Sequence, residues 1–160
     1  NSHVDGILRT SVSPLDAAAL ASTAEDYVDR LLQHLDYVGV LALELFVVGD
    51  ALLANEFAPR VHNSGHWTIE GAQTSQFENH IRAVMDLPLG PTTGRGHAGM
   101  VNLIGTMPTS LDSLDFATLH DYGKEPRPGR KLGHVTVVAD SAAERDRLVG
   151  KIDKSVTQST

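Results

Sequence analysis

Two apolar runs, Val38–Val48 and Ala51–Phe57, meet at Gly49-Asp50, a dipeptide suited to a tight hairpin. Each run carries one glutamate, Glu44 in the first and Glu56 in the second. A carboxylate in such a run is costly to bury unless something partners it. Like charges facing one another on adjacent strands add to the cost. A divalent cation shared by both would resolve the conflict. Register decides whether sharing is possible. A two-residue loop at 49–50 sets Glu44 opposite Asn55 and turns Glu56 to the other face. A three-residue loop at 49–51, or an equivalent bulge, sets Glu44 directly opposite Glu56. A shared metal needs the second arrangement, which is the one expected. The competing reading gives each glutamate its own arginine or lysine.

The second glutamate opens a polar loop, Asn55-Glu56-Phe57-Ala58-Pro59-Arg60-Val61-His62-Asn63-Ser64-Gly65-His66. Pro59 cannot donate to a ladder, so the chain should leave the sheet near Ala58. Arg60 then projects beside the carboxylates, where a guanidinium can hold an anion bidentately. His62 and His66 have the spacing of a helical zinc pair, but Asn63-Ser64-Gly65 after a proline is poor helix sequence, which argues against zinc. Ser64 beside His66 lacks both a nucleophile elbow and an evident orienting acid. The loop reads instead as amides, a hydroxyl and imidazoles arranged to hydrogen-bond a small polar substrate. Farther on, Lys124-Glu125-Pro126-Arg127-Pro128-Gly129-Arg130-Lys131 forms a basic turn stiffened by prolines, suited to a phosphate ester. His34, His80, His97 and His120 are assigned to structure or surface.

Composition narrows the classes. The 160 residues include no cysteine, which excludes disulfides and thiolate chemistry. A formal charge of −7 argues against nucleic acid or an anionic membrane as the main partner. No apolar run is long enough to span a bilayer and no secretory signal is visible, so a cytoplasmic location is expected. The first residue is not methionine and a strand-like run begins almost at once, which reads as a fragment of a longer protein.

Periodicity supplies the order of elements. Residues 5–12 read as a strand. Ser13-Pro14-Leu15-Asp16 reads as a helix start, with Ser13 as N-cap and the helix continuing to Asp36. The hairpin follows. A second helix is signalled by Thr74, with Phe77, Ile81, Val84 and Met85 as its buried stripe. Residues 87–94 form a connector. Strands are expected at 99–105, near 117–123 and at 132–139, then a helix from Ser141 to about Lys154. Without strict alternation this is an α+β fold with mainly antiparallel pairing.

The run from Asn55 to Thr68, Ser75-Gln76-Phe77-Glu78, Arg127–His134 and the upstream His3–Ser11 together resemble the N5-carboxyaminoimidazole ribonucleotide synthetase (PurK) family of the ATP-grasp superfamily. The likeness runs from His3 to about Lys151. It implies the large lobe of an ATP-grasp domain over residues 1–90, then a small β-rich C-terminal domain over 91–160. It also implies a reaction in which ATP phosphorylates bicarbonate to carboxyphosphate and the amino group of aminoimidazole ribonucleotide takes up the carboxyl group.

By that resemblance Glu44 and Glu56 are magnesium or manganese ligands, and His3, Asn55 and Glu56 contact ATP. Arg60 and His66 are the catalytic candidates, with Arg60 stabilising the bicarbonate-derived anion. His62, Asn63, Ser64, Lys124 and Arg130 face the substrate, the last two as phosphate ligands. A homodimer is implied, with neither nucleic acid nor membrane as partner. The small ATP-grasp lobe and the preceding domain have no counterpart here, so this chain alone is expected to be catalytically inactive. A formate-dependent purine transformylase and a non-catalytic dimerising fragment are the competing readings.

Overall fold

The structure is a computed structural model that describes residues 1–15, 17–108 and 115–157. Its centre is a pair of strands buried on both faces, β5 (His97–Ile104) and β7 (Lys131–Ala139). They pair antiparallel with Met100 opposite Thr136 and Asn102 opposite His134. Successive side chains of a strand point to opposite faces, so each strand serves two different surfaces. Val101, Leu103, Val135 and Val137 form one core with Leu148, Ile152 and Val156 of α4 (Ala142–Thr157). The alternate positions, Met100, Asn102, His134 and Thr136, are equally buried on the opposite side. That second face is partly polar and supports the candidate site.

The complete sheet has five antiparallel strands in the order β1-β2-β5-β7-β6. The edges are β1 (Ser2–Val4) and β6 (Thr118–Asp121), and β2 (Ile7–Ser13) pairs with β5. The sheet therefore takes strands from both sides of residue 90. Gly133 allows β6 its close approach, since a Cβ there would collide with the His120 carbonyl. Among the described residues no helix is long and apolar enough to cross a membrane.

The expected helix start at Ser13 is not observed. Ser13 is the last residue of β2 and pairs with Ala98, so its backbone is committed to the ladder. Arg145 further holds this segment through the carbonyls of Ser13 and Pro14, at 3.3 and 3.4 Å. The helix α1 spans Ala18–Leu35, with Ala17 at its N-cap and no side-chain capping bond from it. Asp16, expected in its first turn, lies outside the described residues. Asp36 ends the helix in the left-handed conformation at φ 47°.

The hairpin strands are β3 (Ala42–Val48) and β4 (Ala51–Ala58), a separate two-stranded sheet. After Pro59 the chain makes a 3-10 turn at Asn63–Gly65, a short helix α2 (Thr68–Gly71) and α3 (Gln76–Val84). Ser75, one residue beyond the expected Thr74, caps α3 by accepting from the Glu78 amide at 3.2 Å.

The stripe expected to be buried on α3 is on its outside. Phe77, Ile81, Val84 and Met85 are 36, 60, 58 and 64% exposed. The inward face carries Gln76 and Asn79 instead. Asn79 exchanges two hydrogen bonds with the Gly90 backbone, at 2.9 and 3.2 Å. Polar side chains face inward because irregular backbone lies beneath this helix and its amide and carbonyl groups need partners.

Ile152→Ala should therefore cost about 2–5 kcal/mol, as expected for truncating a buried aliphatic side chain. Ile81→Ala should stay within roughly 0.5 kcal/mol, as expected at a surface position. Urea unfolding of the two variants checks the contrast.

Candidate functional site

The hairpin closes through a two-residue turn, Val48 pairing with Ala51, yet Glu44 lies directly opposite Glu56. A bulge makes both true. Leu45 pairs with Ala54 and the ladder shifts between Glu44 and Leu45, leaving Asn55 as the additional residue. The Asn55 side chain turns back and donates to Glu44 Oε2 at 3.3 Å.

The carboxylates do not each capture a basic partner. Among the described residues the cation candidate beside both is His62, whose Nε2 lies 3.3 Å from Glu56 Oε1 and whose Nδ1 lies 3.8 Å from Glu44 Oε1. One ligand atom from each of Glu44, Glu56 and His62 falls within 4.8 Å of the others. Glu44 Oε1 is buried and has no hydrogen-bond partner among the described residues. An orphaned, buried carboxylate oxygen beside a second carboxylate is a donor set suited to a hard divalent cation. A cleft of about 420 Å³ runs along this edge, lined by His3, Glu44, Leu45, Phe46 and Asn55 among others. His3 and the bulged Asn55 are thereby brought to the same cleft as Glu44.

Burial pulls the Lys131 ammonium below its usual value; Glu44 and Glu56 oppose that effect, and Arg60 and Lys124 reinforce it. All four groups thus act on Lys131 through their charges. Lys124 Nζ sits 5.0 Å from the centre of the Tyr122 ring. Arg60 donates to the Val61 carbonyl at 3.0 Å, folding along its own loop. Arg130 is not brought to the carboxylates by any contact; its guanidinium reaches the Glu125 carbonyl at 3.4 Å.

The loop between the two histidines is held from several sides. Ser64 lies 2.8 Å from His62 Nδ1, and its carbonyl accepts from Ser11 Oγ at 2.8 Å. Asn63 and Asn102 exchange side-chain hydrogen bonds at 2.7 and 3.0 Å, tying the loop to β5. Asn63 is therefore engaged with the sheet rather than turned wholly to the cleft. His66 packs 5.0 Å from Phe77 and 5.3 Å from His134, ring centre to ring centre. Desolvation lowers His66 to about 4, against a hydrogen bond to the His62 backbone that raises it, and lowers His134 to about 3, where the charges of His120 and His66 act in the same direction. Burial pushes Tyr122, which hydrogen-bonds His134 Nδ1 at 2.8 Å, up to about 12.

Sequence reasoning passed over Lys131, Gln76, Asn102, Tyr122 and His134. Lys131 was visible only as one member of a basic turn, and it is the first residue of β7, where the charge of Glu44 acts on it. Asn102 and His134 each sit inside an apolar strand run, which was the available signal: a polar residue there needs a partner.

An ATP-grasp domain model matches residues 1–77, and a phosphoribosylaminoimidazole carboxylase C-terminal domain model matches 98–147. The N5-carboxyaminoimidazole ribonucleotide synthase of Pseudomonas aeruginosa is 54% identical over 151 residues, covering 92% of this chain and 42% of that protein. The crystal structure of N5-carboxyaminoimidazole ribonucleotide synthetase from Thermus thermophilus superposes with a TM-score of 0.93 at 54% identity, over 98% of this chain and 44% of that one. The Aspergillus clavatus enzyme in complex with ADP and 5-aminoimidazole ribonucleotide gives 0.90 at 32% identity, over 98% of this chain and 46% of that one.

The fold and its carboxylate hairpin define a part of an ATP-grasp protein. Within that class the chain belongs to the N5-carboxyaminoimidazole ribonucleotide synthetase family, whose C-terminal part it matches. It spans less than half the length of these relatives.

His66 and His134, both lowered by burial, link stability to pH. The unfolded chain takes up protons near the ordinary histidine value of about 6.5, before the folded one does. Stability is therefore full above that value and falls as pH drops through 6 towards 4. His134→Asn should flatten the slope between pH 6.5 and 5, measured by urea unfolding at fixed ionic strength.

Proposed function

We propose that this chain supplies the metal-binding and acceptor side of an ATP-dependent ligase that carboxylates 5-aminoimidazole ribonucleotide with bicarbonate, releasing ADP and phosphate. The observation that carries the reading is Glu44 directly opposite Glu56, beside a cleft lined by His3 and Asn55. The Aspergillus clavatus complex with ADP and 5-aminoimidazole ribonucleotide supports the nucleotide and the acceptor, and bicarbonate is part of this proposal. Because the chain spans 42% of the Pseudomonas relative, turnover is proposed for the whole protein and binding for this part.

Glu44 and Glu56 would hold magnesium or manganese, and the buried, unpartnered Oε1 of Glu44 fits that role. The ion would neutralise phosphate charge during phosphoryl transfer. His3 and Asn55 contact the nucleotide across the cleft. Arg60 balances the charge of the bicarbonate-derived anion, where a guanidinium offers paired donors. His62 and Ser64 orient the acceptor, and Asn63 fixes their loop to β5. Lys124 and Arg130 hold the ribonucleotide phosphate, with Lys131 joining them from the start of β7. Carboxyphosphate is short-lived in water, so the site must also exclude solvent. A homodimer is part of this proposal, with the exposed apolar face of α3 available to it.

Calorimetric titration with Mg-ADP should show binding by the parent chain. Glu44→Gln/Glu56→Gln should weaken it at least tenfold, about 1.4 kcal/mol. Equal binding by parent and double variant would remove the hairpin from the nucleotide site. Lys124→Ala should weaken binding of ribose 5-phosphate about tenfold or more while leaving Mg-ADP affinity unchanged, read in the same instrument.

A further inference from the structure

Gln76 is the first residue of α3, lies 9% exposed, and uses its entire amide on the histidine loop. Its Oε1 accepts from the His62 backbone N–H at 2.9 Å, and its Nε2 donates to the His62 carbonyl at 2.7 Å. A backbone N–H can only donate and a backbone carbonyl can only accept, so these two bonds fix which end of the amide is oxygen. The second Nε2 hydrogen is directed at His66 Nδ1, 2.9 Å away. An amide nitrogen is a donor only, so His66 Nδ1 must be the acceptor. The ring proton of neutral His66 then resides on Nε2.

Two further observations hold Gln76 in place. Its backbone N–H donates to Thr68 Oγ1 at 3.0 Å, and Thr68 Oγ1 in turn donates to the Gly65 carbonyl at 2.6 Å. Gly65 has no side chain because a Cβ there would lie 2.8 Å from Gln76 Oε1. The amide thus fills the space that a side chain at residue 65 would need. The ring of His66 is braced by Phe77 and His134, whose ring centres lie 5.0 and 5.3 Å away.

We propose that Gln76 is a positioning residue that sets the tautomer of His66, so that His66 presents Nε2–H as a neutral donor to a carboxylate, carbonyl or phosphate oxygen of the ligand and does not act as a general base. The ligand half of this inference rests on the functional reading above; the tautomer half does not. Burial, which lowers His66 to about 4, agrees with a neutral ring at pH 7. A protonated ring would place a second donor against the Gln76 amide and break that bond.

The test is a long-range proton–nitrogen correlation spectrum of the histidine rings in the ¹⁵N-labelled chain at pH 7, with His66 assigned from His66→Gln. The expected result is an unprotonated Nδ1 and a protonated Nε2. In Gln76→Glu the carboxylate can only accept, so Nδ1 should become protonated. A protonated Nδ1 in the parent overturns the proposal, as does an unchanged His66 pattern in folded Gln76→Glu. Should that variant fail to fold, the parent spectrum alone decides.

On saturation with 5-aminoimidazole ribonucleotide the His66 Nε2–H resonance should move as it gains an acceptor. No movement with the ligand bound overturns the donor role. No binding at all, with the tautomer as expected, overturns the functional reading and the ligand half while the Gln76 assignment stands.

Discussion

One extra residue in β4 governs the site. Without the bulge at Asn55, a two-residue turn would put Glu44 and Glu56 on opposite faces of the hairpin. With it, two carboxylates share one face, and the surroundings answer that concentration of negative charge. Asn55 donates to one carboxylate, His62 approaches both, and Lys131 lies where both glutamates counter the effect of its burial. Glu44 Oε1 is left buried and without a hydrogen-bond partner among the described residues. A bulge is a local device, and here its consequence reaches the strand on which the basic residues begin.

Around it, the sheet divides its labour by face. The side of β5 and β7 that meets α4 is aliphatic and supplies the core. The other side carries Asn102 and His134, each essentially without solvent exposure. Asn102 is tolerated in the interior because it is bonded, to Asn63 and the Leu8 carbonyl; His134 is bonded at Nδ1 to Tyr122, while its buried Nε2 has no hydrogen-bond partner among the described residues. The polar face ties an irregular loop to the sheet, and a loop held by side-chain bonds loses less freedom on binding. Gln76 does the same from the helix side.

Much of this was legible. The main strands and helices, the hairpin and the departure of the chain after Ala58 followed from apolar periodicity and turn residues, and the register of Glu44 opposite Glu56 from what a shared cation would need; β1, the turn at Asp5-Gly6 and α2 were not expected. Two readings failed for one common reason. Ser13 has the chemistry of an N-cap, but its ladder pairing with Ala98 claims it for β2. Phe77, Ile81, Val84 and Met85 have the spacing of a core stripe, but the surface beneath α3 is irregular backbone that needs polar partners. Local pattern cannot see what an element will lie against.

The sequence by itself determined the family, the hairpin and the residue types that gather at the site. Those follow from composition, spacing and motif, which are properties of neighbours along the chain. Only the tertiary structure decided that His62 approaches both glutamates, that the charges of Glu44, Glu56, Arg60 and Lys124 all act on Lys131, and that Asn63 is engaged by Asn102. These are meetings of residues far apart in sequence, fixed by strand order and by which face of each strand a side chain occupies. Hydrogen-bond direction, which determines the state of His66, exists only once those partners are in place.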